Sequence, residues 1–176
     1  MQSDQAKWVM DALSRYEAAL LRYAATLVDR AEAADVVQET FLELCRADRR
    51  AVDGHLAAWL FTVCKNRAHD VGRRARRLRS LEDGDVNEAP DSGPVKKLEQ
   101  RETLSRVGAA LEGLPERERE ALRLKLDAGR SYKEIAEVMG LTPSNVGVIL
   151  HSALKRIQRE IARDSDLPLH AARRTS

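Results

Sequence analysis

The chain has 176 residues and a formal net charge of +2; 33% of its residues are charged, 43% are hydrophobic and only 4% are aromatic. That length suits one ordinary domain or two small ones, and a composition led by Leu, Ala, Arg and Glu favours helices over sheets. No window approaches the roughly 18 apolar residues of a membrane span. The opening MQSDQAKWVMDALSRYE carries charges where a secretory signal needs an apolar core, so the expected location is cytoplasmic.

The stretch LLRYAATLVDRAEAADVVQETFLELCRA reads as two helices around Asp29-Arg30. Val37, Thr40, Phe41 and Leu44 recur at helical spacing and face a core, which leaves Asp35, Gln38, Glu39 and Glu43 outside. An acidic outer face repels DNA; it fits a protein partner or a solvated surface. The next stretch, HLAAWLFTVCKNRAHDVGRRARRLRS, places Leu56, Trp59, Leu60, Val63, Ala68 and Val71 on one face. Lys65, Asn66, His69, Arg73, Arg76 and Arg77 lie largely on another. Seven bases and one acid, Asp70, fall between Lys65 and Arg79. Arginines crowded this way repel one another unless a polyanion neutralises them. Trp59 and Phe61 are candidates for stacking on bases, with the core as the alternative place for Trp59. Cys45 and Cys64 sit in apolar helical stretches without metal-like spacing and are expected to be buried, reduced thiols.

The segment SLEDGDVNEAPDSGP, residues 80–94, has five acids, no bases and no hydrophobic period, and reads as a flexible acidic linker. Beyond it, Leu104, Val107, Leu111 and Leu114 follow helical spacing until Gly113 and Pro115 interrupt, and 116–126 resumes it. Asp127-Ala-Gly-Arg130 is a turn. Ser131 and Glu134 form a capping box, Gly140 ends the helix they open, and Thr142-Pro143 starts the next. Ala136, Gly140 and Val146 supply the small residue, turn glycine and buried aliphatic of a helix-turn-helix. The tail after 163 is polar and broken by proline.

In the second helix of that motif Val146, Ile149, Leu150, Ala153, Leu154 and Ile157 make the inward stripe. Ser144, Asn145, Gly147, Val148, His151, Ser152 and Lys155 remain outside. Asn, Ser and His hydrogen-bond base edges and Val148 can meet a thymine methyl, while Ser131 and Tyr132 are placed to donate to phosphate. The helix has no cation before Lys155, so it should read bases yet grip the backbone weakly.

Taken in order, ADVVQETFLEL, AWLFTVCKNRAHDVGRRARR and the stretch from LPERERE to HSALKRI resemble the successive motifs of extracytoplasmic-function (ECF) RNA polymerase sigma factors of the sigma-70 family. The resemblance implies an all-α, two-domain chain. Residues 1–79 would bind core RNA polymerase and recognise and melt the −10 element, 80–94 would be the linker, 95–163 would read the −35 element, and 164–176 would be a tail. It implies a polymerase face at Asp35, Gln38, Glu39 and Glu43. Lys65, Asn66, Arg67, Arg73, Arg74 and Arg77 would contact the single-stranded −10 element, with Asn66 closing on a flipped base. Duplex −35 contacts would come from Ser131, Tyr132, Ser144, Asn145, Val148, His151, Ser152 and Lys155. The implied partners are core RNA polymerase and promoter DNA, with an anti-sigma protein as a further candidate. The chain departs from the family pattern at Ala34, where a second acid is common, and at Gly147, Ile149 and Ser152, where bases are common.

No nucleophile-and-base pair, phosphate-cradling glycine loop or metal cluster is evident, and His55, His69, His151 and His170 are scattered. The reading is therefore of a non-enzymatic bacterial initiation factor without cofactor or metal, in which binding energy drives strand opening. The alternatives are a stand-alone helix-turn-helix regulator, which predicts a dimer on symmetric half-sites, and a helical interaction protein that never touches DNA. Limited proteolysis should cut first within 80–94 and release two compact helical fragments. A single protected fragment spanning that segment would contradict the two-domain reading.

Overall fold

The computed structural model describes residues 2–79 and 107–165, with side chains over 4–74 and 107–163. The expected linker, the tail beyond 165, Leu104 and the side chains of Arg76 and Arg77 lie outside the described residues. Every described element is helical, as the composition implies.

Helix α1 (Gln2–Ala24) and helix α2 (Arg30–Arg46) meet at a tight corner. The Thr26 hydroxyl donates to the Tyr23 carbonyl at 2.7 Å, and the Val28 N–H to the Ala24 carbonyl at 3.0 Å, which closes α1. Asp29, in extended backbone, then starts α2, which buries Ala33, Val36, Val37, Thr40, Phe41 and Leu44 along one stripe. A single turn, α3 (Arg49–Val52), opens where the Asp48 carboxylate accepts from the Arg50 N–H at 3.0 Å, and a 3-10 turn at Asp53–His55 leads into α4 (Leu56–Arg79). Trp8 pins α1 to this corner. Its Nε1–H donates to Asp53 at 2.9 Å, and the Arg49 guanidinium lies 5.8 Å from its ring centroid.

In the second half a helical segment over 107–112 (α5) stops at Gly113, and Arg119 holds the break by donating to the carbonyls of Glu112 (2.8 Å) and Leu114 (2.9 Å). Helix α6 (Glu116–Leu126), α7 (Tyr132–Met139) and α8 (Pro143–Ser165) follow. Gly129 and Gly140 take φ of 66° and 65°, the left-handed conformation that a side chain resists. The capping box is formed: the Glu134 N–H donates to Ser131 Oγ at 3.2 Å and the Ser131 N–H to Glu134 at 2.8 Å. Burial pushes the Glu134 carboxyl up, but the Ser131 bonds and the Arg130 charge outweigh it and hold the group below the usual carboxylate range. The cap therefore contributes fully above the unfolded-state pKa and is lost as pH falls through the depressed folded value. Thr142 caps α8, its Oγ1 accepting from the Asn145 N–H at 3.3 Å.

The halves are packed together. Buried side chains of α1, α2 and α4 and of α6, α7 and α8 form one continuous cluster, and α4 lies against α7. Phe61 belongs to this core. It is fully buried and meets Tyr23 edge to face at 5.4 Å, so it is not available to stack on bases. Trp59 is half-buried against the same core. Leu154, expected to face inward, is 50% exposed: Val146, Leu150 and Ala153 set the centre of the stripe, and at about 100° per residue Leu154 falls at its edge.

Cys64 is buried as expected, whereas Cys45 is exposed. Burial chiefly, and the Glu120 charge less so, push the Cys64 thiol up to about 12 against an opposing hydrogen bond with Thr40. At mildly alkaline pH, where an ordinary thiol is partly ionised, iodoacetamide should modify Cys45 alone in the native chain and Cys64 only after unfolding. Mass mapping that finds equal labelling would contradict this packing.

Candidate nucleic-acid interface

Helix α4 presents its polar residues on separate flanks. Asn66, Arg73 and Arg74 are exposed, and Arg73 is paired with Asp70 one turn before it. Arg67 points elsewhere: its guanidinium lies 2.6 Å from Glu43 and 3.6 Å from Glu39, both on α2. Lys65 faces the other half of the chain, with Nζ 3.4 Å from Glu120 Oε1 on α6. Two of the five cationic −10 candidates, Lys65 and Arg67, thus spend their charges on partners within the molecule, and Arg77 is outside the described side chains.

Glu120 is the centre of that seam. Its side chain is 4% exposed, and Oε1 also accepts from the Tyr23 hydroxyl at 2.5 Å. Burial, then the Glu120 charge, push the Tyr23 hydroxyl well above its ordinary range, so the tyrosine keeps its proton and donates. The Arg22 guanidinium donates to the Asp127 carbonyl at 2.9 Å, and Arg130 lies 5.1 Å from the Phe61 centroid and 5.5 Å from that of Tyr16. Beside the seam is a cleft of about 340 Å³ lined by Thr26, Leu27, Ala68, His69, Gly72, Glu116 and Arg123.

On α2, Asp35, Gln38 and Glu39 are exposed where the periodicity puts them, and Glu43 is half-buried beneath Arg67 and Arg46. Leu42 shares this face and is 47% exposed. It lies seven residues after Asp35, a spacing that marks the same face, but an apolar side chain carries no signal of exposure in the sequence.

On α8, Ser144, Val148, His151 and Lys155 fall within a sector of about 60° and are exposed; Val148 is 66% exposed. Asn145 is exposed on a neighbouring flank. Ser152 is not free: it is half-buried, and its hydroxyl donates to Glu118 Oε1 at 2.9 Å, beside Arg156 at 3.2 Å. This bond ties α8 to α6. At Gly147 an added Cβ would lie 3.6 Å from the Tyr132 ring, which in turn carries Lys125 Nζ 5.3 Å from its centroid. Ile149 packs against the core. Charge near the recognition helix comes instead from exposed Lys125 and Lys133 on α6 and α7, which inspection of α8 alone had missed. Ser131, at the head of α7, has its N–H committed to Glu134, whereas Tyr132 is 45% exposed.

Residues 12–78 match the family model Sigma-70 region 2, and residues 104–157 match Sigma-70, region 4. ECF RNA polymerase sigma factor SigD of Mycobacterium tuberculosis is 32% identical over 136 residues, 75% of this chain and 64% of that protein's length. ECF RNA polymerase sigma factor SigL of the same species is 31% identical over 156 residues, 85% of this chain and 87% of the relative. The chain belongs to the ECF sigma-factor family. Among solved structures, the sigma factor RpoE in complex with the anti-sigma factor NepR from Bartonella quintana is 25% identical, with a TM-score of 0.56 over 92% of this ECF chain and 98% of that one. Among the described residues of this ECF chain, no helix is long and apolar enough to cross a membrane and no cluster of ligating side chains could hold a metal ion.

Glu118 positions the recognition helix through Ser152 and Arg156, so Glu118→Ala should cost about 1–3 kcal/mol, the usual result of stranding buried or charged hydrogen-bond partners. Urea unfolding gives the value; a change near zero would mean the network contributes nothing to placing α8.

Proposed function

We propose that this chain directs core RNA polymerase to promoters, binding it through the Asp35–Leu42 face of α2. In this reading α4 holds the −10 strand and α8 reads the −35 duplex. The observation that carries the reading is one chain with three separate outer surfaces in the family's order: an acidic face with an apolar centre, an exposed arginine flank and a helix-turn-helix. Asp35, Gln38 and Glu39 surround Leu42, so a basic partner surface with an apolar pocket is the complement they fit. Asn66, Arg73 and Arg74 face outward on α4 and would meet a single strand: arginine for phosphate, Asn66 for an extruded base.

On α8, His151, Val148, Ser144 and Asn145 read base edges, and Lys125, Lys133 and Lys155 supply phosphate contacts around them. Ser152 supports the helix through Glu118 rather than touching bases. Strand opening then needs no catalytic group; extruding a base costs a few kcal/mol, offset by contacts to the open strand and by tethering both readers to one polymerase. The chain acts in the cytoplasm and is not an enzyme.

The test is promoter-dependent transcription from purified chain added to core RNA polymerase. Asp35→Lys combined with Leu42→Asp should abolish association with core while changing stability by no more than about 0.5 kcal/mol, because both side chains are exposed. Polymerase binding retained by the double variant would reject the assignment. Arg73→Gln with Arg74→Gln should lower the slope of log affinity against log salt by about 0.7 for each single-strand phosphate contact removed. An unchanged slope would mean these arginines are solvated surface.

A further inference from the structure

Of the four residues in the outer sector of α8, Ser144, Val148, His151 and Lys155, only the last is a cation, and the adjoining Arg156 is tied to Glu118. A further cation stands beside the helix, and an aromatic ring holds it there. Gly147 lies about 40° around α8 from His151, at the edge of the outer sector. Having no side chain, it lets the Tyr132 ring come close: a Cβ at 147 would stand 3.6 Å from Tyr132 Cε2. Over that ring sits the Lys125 ammonium, 5.3 Å from the centroid, and it donates to the Arg130 carbonyl at 3.3 Å. Both partners are neutral, so the ammonium is anchored and keeps its charge for an anion. A lysine on a free four-carbon stem loses much rotamer freedom when it binds; one already anchored loses less. The placement fits as well. A recognition helix lies in a groove about 12 Å wide that is walled by phosphates. A cation set one tyrosine ring out from α8 stands toward that wall rather than over the base edges. Tyr132 is itself 45% exposed, so the assembly is at the surface.

We propose that Tyr132 is a positioning residue for duplex binding: seated on Gly147, its ring holds Lys125 ready for a phosphate at the edge of the groove that α8 enters. This rests on reading α8 as the duplex-facing helix. The ring acts through the lysine it carries, and the tyrosine hydroxyl is not needed. Three helices then serve one phosphate: α8 gives the seat, α7 the ring and α6 the charge.

The experiment titrates the full chain with duplex DNA of mixed sequence over a range of salt. Lys125→Gln should weaken binding about 8-fold at about 0.1 M salt and lower the slope of log affinity against log salt by about 0.9, the counterion-release value of one duplex phosphate. Lys125→Arg keeps the charge and stacks on the ring, so it should bind as wild type does. Tyr132→Phe keeps the ring and should also match wild type. Tyr132→Leu should weaken binding, yet add nothing in a chain that already carries Lys125→Gln. Proton resonances give a second readout without DNA: the ring should shift the Lys125 ε-methylene signals upfield in wild type and Tyr132→Phe, and the shift should vanish in Tyr132→Leu. Equal losses in Tyr132→Phe and Tyr132→Leu would mean that the hydroxyl makes the contact, and overturn the proposal. So would a Tyr132→Leu loss that persists beside Lys125→Gln, because the ring would then act by seating α8. A wild-type chain that binds no duplex at low salt, a slope unmoved by Lys125→Gln, or unshifted wild-type signals overturn it too, even if Tyr132→Leu fails to fold. If the slope is unmoved while the chain still directs core polymerase to promoters, the functional reading stands without the ring's role. If the variants behave as expected but polymerase is not directed, that reading falls and the ring's role stands.

Discussion

A carboxylate taken out of water must find donors, and Glu120 finds its two on the opposite half of the chain, in Tyr23 and Lys65. That requirement fixes how α6 sits across α1 and α4 more tightly than apolar contact alone, which is non-directional. It also sets the character of the seam. The cost of drying an ion pair roughly cancels its attraction, so such a contact specifies an arrangement more than it strengthens it. The adjoining contacts, Arg22 on a backbone carbonyl and Arg130 over Phe61 and Tyr16, follow the same pattern of directional polar groups around a small apolar centre.

The chain handles its other charges in a similar way. Arg67 is held by Glu43 and Glu39, Arg130 by Glu134, and Arg156 by Glu118. Each of these arginines joins two helices or closes a turn, and each is thereby withdrawn from the pool that could meet a polyanion. Among the candidate DNA-facing bases, Arg73, Arg74, Lys125, Lys133 and Lys155 remain outward and are spread over four helices.

Local signals in the sequence were readable because their physics is local. Ser131 and Glu134, Gly140, and Thr142-Pro143 satisfy backbone groups within a few residues, and each was found where the cap chemistry puts it. The outer faces of α2 and α8 followed from the helical period, since Asp35, Gln38 and Glu39, and Ser144, Val148 and His151, are exposed as expected. The period says which way a side chain points, not what awaits it. Tyr23 and Glu120 are 97 residues apart, Ser152 and Glu118 are 34 apart, and Arg67 and Glu43 are 24 apart. Such pairings depend on how helices cross, so Lys65, Arg67 and Ser152 read as free surface when each already had a partner. Phe61 was misplaced for the same reason: it lies on the rim of the apolar stripe of α4, and Tyr23 and Arg130 close over it.

The contact between Gly147 and Tyr132 bears on how this surface can diverge. The space above Gly147 accepts a methyl group, at 3.6 Å from the ring, whereas a longer side chain turned toward the ring would press on it. Lys125 rides on that ring, so a new base at 147 would be gained by dislodging a base already present on α6. Position 147 is thus a poor place for mutation to add DNA affinity. Val148 and His151 are exposed, and under the proposed reading of α8 substitutions there would alter what the helix recognises while leaving its seating intact. Descendants of this sequence that acquire a different promoter preference should carry the change at those two residues and keep the glycine beside them.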